Sequence, residues 1–189
     1  MKTVDKVIFL DIDGVLQPFS SRERFEHVNN MQPTYDELWN KFGVDYSVYD
    51  KYDVAAVVYD WDKEAVAELK RILETTGASI VISSDWRQRK TIDILTNFFR
   101  IYGLADYIYD YTPDLDYGTI KKFKQTEEYS KYHEWRSIEI AEYLKAHPQI
   151  TKWVAIDDLN LAEDFPNNAV VIYSILKKKY GDECIKLLT

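Results

Sequence analysis

Val7-Ile8-Phe9-Leu10-Asp11-Ile12-Asp13-Gly14-Val15-Leu16 is the stretch whose reading decides the fold. Val7 to Leu10 are consecutive apolar residues rich in β-formers, the composition of a strand buried on both faces in a parallel sheet. The run ends abruptly in two aspartates one residue apart, followed by a glycine. In an open α/β sheet, ligands bind at the carboxyl ends of the strands. Carboxylates placed there suit a hard cation, a nucleophile, or both. Asp and Gly are also common turn formers, so the rest of the chain must decide between a site and a turn.

Residues 17–60 lose clear periodicity and carry aromatics among charges, including Phe19, Phe25, Tyr35, Trp39, Tyr46 and Tyr49. A structureless loop of that length is out of place in a compact domain. The segment is therefore read as an insertion folded over the end of the first strand. Within it, Thr34 with Glu37 three residues on has capping-box spacing for a helix to Phe42. Val54 to Tyr59 reads as a short strand or an extended return.

Beyond the insertion, strand and helix patterns alternate. Asp62 caps a helix whose apolar positions Val66, Leu69, Ile72 and Leu73 share one face, and Gly77 ends it. Residues 78–83 form a second strand, 90–102 a helix stopped by Gly103, and 106–109 a third strand. A polar, basic stretch over 121–135 precedes a helix over 136–146, stopped before Pro148. Strands over 153–156 and 169–173 and a broken helix over 174–188 complete the chain. This alternation predicts one α/β domain with a parallel sheet and helices on both faces.

In such a sheet the strand ends share one rim. Asp11 and Asp13 come from the first strand, Ser83 from the second, and Asp157 and Asp158 from the fourth. Three polar ends drawn from distant positions are hard to explain as turns. Asp11, Asp13 and Asp157 would repel one another unless a divalent cation neutralised them. Mg²⁺ suits an oxygen-only site and leaves room for a phosphate oxygen. Asp11 could then attack phosphorus to form an aspartyl-phosphate, and Asp13, on the same side of an extended segment, could serve as acid and base. Ser83 could donate to a phosphate oxygen, and a cation must offset the charge of the transferring group.

These pieces, Asp11-Ile12-Asp13-Gly14-Val15-Leu16, Ile80-Val81-Ile82-Ser83 and Val154-Ala155-Ile156-Asp157-Asp158, resemble the haloacid dehalogenase (HAD) superfamily of aspartate-nucleophile phosphatases. The resemblance implies a Rossmann-like three-layer sandwich, Mg²⁺, and Asp11 as nucleophile. It further implies metal contact through the backbone carbonyl of Asp13, Asp157 as a metal ligand, and Asp158 supporting it. Ser83-Ser84-Asp85-Trp86-Arg87 is similar to a subgroup carrying Ser-Ser-x-Trp-Arg. Arg136-Ser137-Ile138-Glu139-Ile140 resembles that subgroup's Arg-Gly-x-Glu-Ile helix start, with Ser137 in place of the glycine. Arg136 is the favoured phosphate-side cation, with Lys121, Lys122, Lys124 and Lys131 as alternatives. Ser84 is a further phosphate-side candidate or a turn former. Arg87 is open between a phosphate contact and a surface ion pair, and Asp158 between the metal and a helix cap. Trp86 reads as packing and Asp164 as solvated. The insertion lies where the superfamily commonly places a cap.

Composition narrows the function classes. A net charge of -8 disfavours broad binding to nucleic-acid phosphates or anionic membranes, though not to a mononucleotide. The single cysteine, Cys184, cannot form an internal disulfide and suits a reducing compartment. The first six residues run directly into the first strand, leaving no room for a signal peptide, and no apolar run spans a bilayer. The expectation is a cytoplasmic, Mg²⁺-dependent phosphohydrolase acting on a small phosphorylated substrate, with a nucleotide or nucleic-acid end as the alternative. A non-catalytic phosphate- or partner-binding module on the same fold is the alternative of another class.

Overall fold

The computed structural model describes residues 4–189, and Met1 to Thr3, part of the expected run-in to the first strand, lie outside the described residues. The chain folds in the order β1 (Lys6–Leu10), α1 (Arg24–His27), α2 (Gln32–Phe42), α3 (Lys51–Ala55), α4 (Lys63–Thr76), β2 (Ser79–Ile82), α5 (Ile92–Arg100) and β3 (Ile108–Tyr111). It continues through α6 (Tyr117–Phe123), α7 (Trp135–Ala146), β4 (Lys152–Asp157), β5 (Ala169–Val171) and α8 (Lys178–Leu188). The sheet has five strands in the order β3-β2-β1-β4-β5, and every pairing is parallel.

Strand β1 lies at the centre, and its alternating side chains enter two cores. Ile8 and Leu10 join the larger apolar cluster with Leu69 and Ile72 of α4, Phe98 and Phe99 of α5, and Cys184 of α8. Val7 and Phe9 face the other way, onto Ile140 and Tyr143 of α7. The result is the expected three-layer α/β sandwich, with both faces of the sheet covered as a parallel sheet requires. Helix α4 begins as its sequence predicts: the Asp62 carboxylate accepts from the Ala65 amide at 2.8 Å. It ends at Gly77, whose φ of +67° is the left-handed C-cap conformation.

The segment from residue 17 to 60 is short helices and turns joined by loops, with no strand, and two expectations within it are corrected. Thr34 is not an N-cap: α2 begins at Gln32 with Pro33 in its first turn, a position where the missing N–H costs nothing. The Thr34 hydroxyl instead lies 2.5 Å from that of Tyr59. Val54 to Tyr59 is not extended. The Asp50 carboxylate caps α3 by accepting from the Tyr52 and Asp53 amides at 2.8 and 3.2 Å, and a π-helical turn over Ala56–Asp60 carries the helix on. Its valines and Tyr59 suggested a strand, but the alanines favour helix, and the whole run Val54 to Val57 is buried in the larger core. The segment is tied to α5 by Tyr46, which donates to the Asn97 carbonyl at 2.7 Å, and by Asn97, which donates to the Tyr49 hydroxyl at 2.8 Å. Strand β3 starts at Ile108, two residues later than expected, because Ala105–Tyr107 forms a 3-10 turn.

Candidate active site

The strand order reverses at β1, and a crevice opens beyond the carboxyl ends of β1 and β4. The backbone ladder continues past the strands into this crevice. The Asp11 amide donates to the Ile156 carbonyl at 2.9 Å, and the Ser83 amide to the Leu10 carbonyl at 2.8 Å. Asp11 is thereby set directly between Ser83 and Asp157. Carboxylate oxygens of Asp11, Asp157 and Asp158 all lie within 4.8 Å of one another.

Helix α7 delivers the cation. The Arg136 guanidinium lies 3.0 Å from Asp11 Oδ1 and 3.4 Å from Asp157 Oδ2, and the same Nη1 donates to the Ser83 carbonyl. The start of α7 is held from outside the helix: Asp164 accepts from the His133 and Glu134 amides at 2.8 and 3.1 Å. Asp164, expected to be solvated, thus has a buried carboxylate that fixes the helix turn bearing Arg136.

Burial pushes the Asp11 carboxyl up to about 6, against the opposing pull of Arg136. Burial also raises Asp157 well above the carboxylate range, and the charge of Asp11 adds to it. Although burial works against it, the Arg136 guanidinium is held above its ordinary value by Asp157 and Asp11. The guanidinium pairs with Asp11 and Asp157 but not with Asp158, and it also reaches Asp85 at 3.4 Å, so the cluster is short of positive charge. Its donors are all oxygen, two of them buried. This arrangement fits a hard divalent cation held by Asp11, Asp157 and Asp158.

Asp13 belongs to a different environment. Its carboxylate accepts from Trp86 Nε1 at 3.0 Å and from Gln17 Nε2 at 3.1 Å, and burial raises its pKa against the Trp86 hydrogen bond. The turn that aims it is tight: the Ile12 carbonyl accepts from the amides of Val15, Leu16 and Gln17 at 3.2, 2.8 and 2.9 Å. Gly14 has φ +76°, and a Cβ there would stand 2.8 Å from the Phe19 ring and 3.0 Å from Asp158. Only glycine meets both demands.

The remaining candidates separate. Ser83 is buried and its hydroxyl has no hydrogen-bond partner within the protein, the condition of a donor held for a ligand. The Ser84 hydroxyl accepts from the Trp86 amide at 3.5 Å. Arg87 is neither at the carboxylate cluster nor on the surface. Its side chain is 1% exposed, paired with Glu139 at 2.6 Å, and donates to the Ser84 and Pro113 carbonyls at 2.7 and 3.3 Å. Glu139 also accepts from the Leu115 amide at 3.2 Å and sits 3.9 Å from Arg136 Nε. Lys124 donates to the His133 carbonyl at 3.0 Å. Lys121, Lys122, Lys124 and Lys131 do not line the cleft that holds Asp11.

That cleft has a volume of about 630 Å³. Asp11, Asp13, Asp158 and Arg136 form its floor, and Gln17, Phe19, Arg22, Arg24 and Phe25 form a wall beside Asp13. Sequence reasoning placed this aromatic segment over the end of the first strand but could not single out the residues of the wall, because an aperiodic run shows no face. It also read Trp86 as packing alone, although the indole sits in an aromatic cluster and hydrogen-bonds Asp13 as well. Among the described residues no helix is long and apolar enough to cross a membrane.

No curated protein matches the chain. A family profile described as the HAD domain in Swiss Army Knife RNA repair proteins matches residues 7–175, a span that includes all of the sheet but Lys6 and the whole acidic site. The chain belongs to that family, and through it to the HAD superfamily.

Proposed function

We propose that this protein is a Mg²⁺-dependent phosphohydrolase that removes a terminal phosphate monoester from a nucleic-acid end through an aspartyl-phosphate on Asp11. The observation that carries the reading is the pairing of a buried Asp11, 3.0 Å from Arg136, with the unpartnered Ser83 hydroxyl on the neighbouring strand end. One carboxylate, one guanidinium and one free hydroxyl converge where a phosphoryl group could be held. The family description supplies the direction toward nucleic-acid ends.

In this reading Arg136 and Ser83 bind the phosphate oxygens and spread their charge. Asp11 attacks phosphorus, the bond to the leaving oxygen breaks, and Asp13 gives that oxygen its proton. Asp13 then takes a proton from water, which attacks the acyl phosphate, releases inorganic phosphate and restores Asp11. The raised pKa of Asp13 suits the proton-donating step. A divalent cation held by Asp11, Asp157 and Asp158 supplies the positive charge that lets an anionic nucleophile approach an anionic phosphate.

The test is phosphate release with Mg²⁺ from an aryl phosphate, from sugar phosphates and from oligonucleotides phosphorylated at either end. Wild type should release phosphate from an oligonucleotide end, and Asp11→Asn should lose roughly 10⁴-fold or more, as removal of a nucleophile does elsewhere. Equal, negligible rates for both would reject an enzyme in favour of a binding module. Faster turnover of sugar phosphates would reject the nucleic-acid end.

A further inference from the structure

The wall beside Asp13 has features that phosphate hydrolysis alone does not require. Phe19 and Phe25 are 64% and 51% exposed, yet both line the cleft that holds the acidic floor. Exposed aromatic faces next to a polar site offer a stacking surface. The Phe19 ring lies against Gly14, adjacent to the acid Asp13. Asp13 must face the leaving oxygen to protonate it, so the leaving group departs along this wall.

The two arginines of the wall are used differently. Arg24 is committed: its Nε is 3.1 Å from Asp60 Oδ2, whose side chain is fully buried, and its guanidinium lies over the Phe25 ring at 5.2 Å. Asp60 also accepts from the Ser21 hydroxyl at 2.8 Å and the Arg24 amide at 3.1 Å. One buried carboxylate thus pins the turn between Phe19 and Phe25 in a single geometry. Arg22 donates only to the Phe19 and Ser21 carbonyls, at 2.7 and 2.6 Å. Among the described residues it has no carboxylate partner, so its charge is uncompensated at the cleft mouth. A preorganised aromatic surface beside a guanidinium whose charge is unpaired matches one base followed by one backbone phosphate.

Resting on the proposed reaction, we propose that Phe19, Phe25 and Arg22 form a leaving-group subsite. The Phe rings stack on the terminal base, and Arg22 contacts the next phosphodiester. The substrate is then a single-stranded end of at least two nucleotides, not a free mononucleotide. A single guanidinium contact is consistent with an acidic protein, whose charge opposes a long electrostatic footprint.

The experiment compares kcat/KM for a mononucleotide and a terminally phosphorylated trinucleotide of the same base, with Mg²⁺, in separate 5′, 3′, RNA and DNA arms. Wild type should favour the trinucleotide by roughly tenfold or more in at least one arm. Arg22→Ala should bring that preference toward unity and flatten the log–log salt dependence by about 0.7, the value for one contact on a single strand. Phe25→Ala should lower the ratio of trinucleotide to aryl phosphate turnover by roughly 5- to 150-fold, the range for one lost stack. Phe25→Trp should retain that ratio, which separates stacking from a fold defect. A wild type indifferent to chain length, or ratios unmoved in the variants, would overturn the subsite while leaving the phosphatase standing. Should no substrate release phosphate, the hydrolytic reading fails by itself. Binding of a labelled, phosphorylated trinucleotide to Asp11→Asn then still tests the wall, and equal affinity with and without Arg22→Ala would overturn it.

Discussion

Glu139→Ala would place the Arg87 guanidinium in the interior without its partner. The Arg87 side chain is 1% exposed and its Nη2 lies 2.6 Å from Glu139 Oε2. Removing one member of a buried ion pair typically costs about 3–5 kcal/mol, because the remaining charge keeps its desolvation penalty. Two backbone carbonyls stay in place to accept from Arg87, and Asp114 offers a second, half-exposed carboxylate at 3.9 Å. These place the expected loss at the low end, about 3 kcal/mol. For a chain of this size that corresponds to a fall in Tm of about 6–12 °C.

Denaturant unfolding at pH 7 measures the loss, and the double variant Arg87→Met/Glu139→Leu supplies the control. If the penalty comes from a stranded charge, removing both charges should recover most of it. Activity gives a second readout, since Glu139 also lies 3.9 Å from Arg136 Nε, one helical turn along α7. Phosphate release should therefore fall in Glu139→Ala, mainly through weaker phosphate binding. A loss below about 1 kcal/mol, within the range of exposed pairs, would refute the view that Arg87 and Glu139 form a buried brace beneath Arg136.

Three further outcomes are expected. Mg²⁺ at about 100 times its Kd should stabilise the protein by about 2.7 kcal/mol, and Asp157→Asn should abolish that thermal shift. A shift that survives in Asp157→Asn would place the ion elsewhere. Burial raises the Asp11 carboxyl from 3.8 to about 6, so without metal its contribution is favourable below about pH 4 and is lost as pH rises through 6. Asp11→Asn should accordingly be more stable than wild type at pH 7 in chelator, by at most about 3 kcal/mol, and not at pH 4; denaturation at both pH values checks it. Gly14→Ala should cost about 1–2 kcal/mol from its φ of +76° alone, with activity reduced as Phe19 and Asp158 are pushed aside, which unfolding curves and phosphate release together would show.

The parts of the fold legible in the sequence are those carried by local periodicity. Val7 to Leu10 read as a central strand because β1 is covered on both faces, and its neighbours on either side are β2 and β4. Asp62 and Gly77 marked the ends of α4 because caps are satisfied within one helical turn. Residues 17–60 were legible only in the helix that ends at Phe42, for the converse reason. The other elements there are short, and their apolar residues are buried against the larger core instead of along a face of their own. Val54 to Val57 mixes valines with alanines, so its local pattern is ambiguous, and the Asp50 cap together with burial in the larger core goes with helix.

The site divides along the same line. Asp11, Asp13, Ser83, Asp157 and Asp158 could be nominated in advance, since each lies at or just beyond a strand end and parallel strands end on one rim. Arg136 could be favoured but not separated from Lys121, Lys122, Lys124 and Lys131, because a basic residue is placed by how its helix docks. Docking set Arg136 at 3.0 Å from Asp11 and turned Arg87 inward to Glu139. The sequence alone determined which backbone tips carry carboxylates, for strand period and chain order are written locally. Only the tertiary structure decided which cation meets them and which aromatic wall flanks Asp13, because Arg136 reaches Asp11 from 125 residues away and the nearby turn that forms the wall is held by the distant Asp60 carboxylate, so packing, not pattern, selects among them.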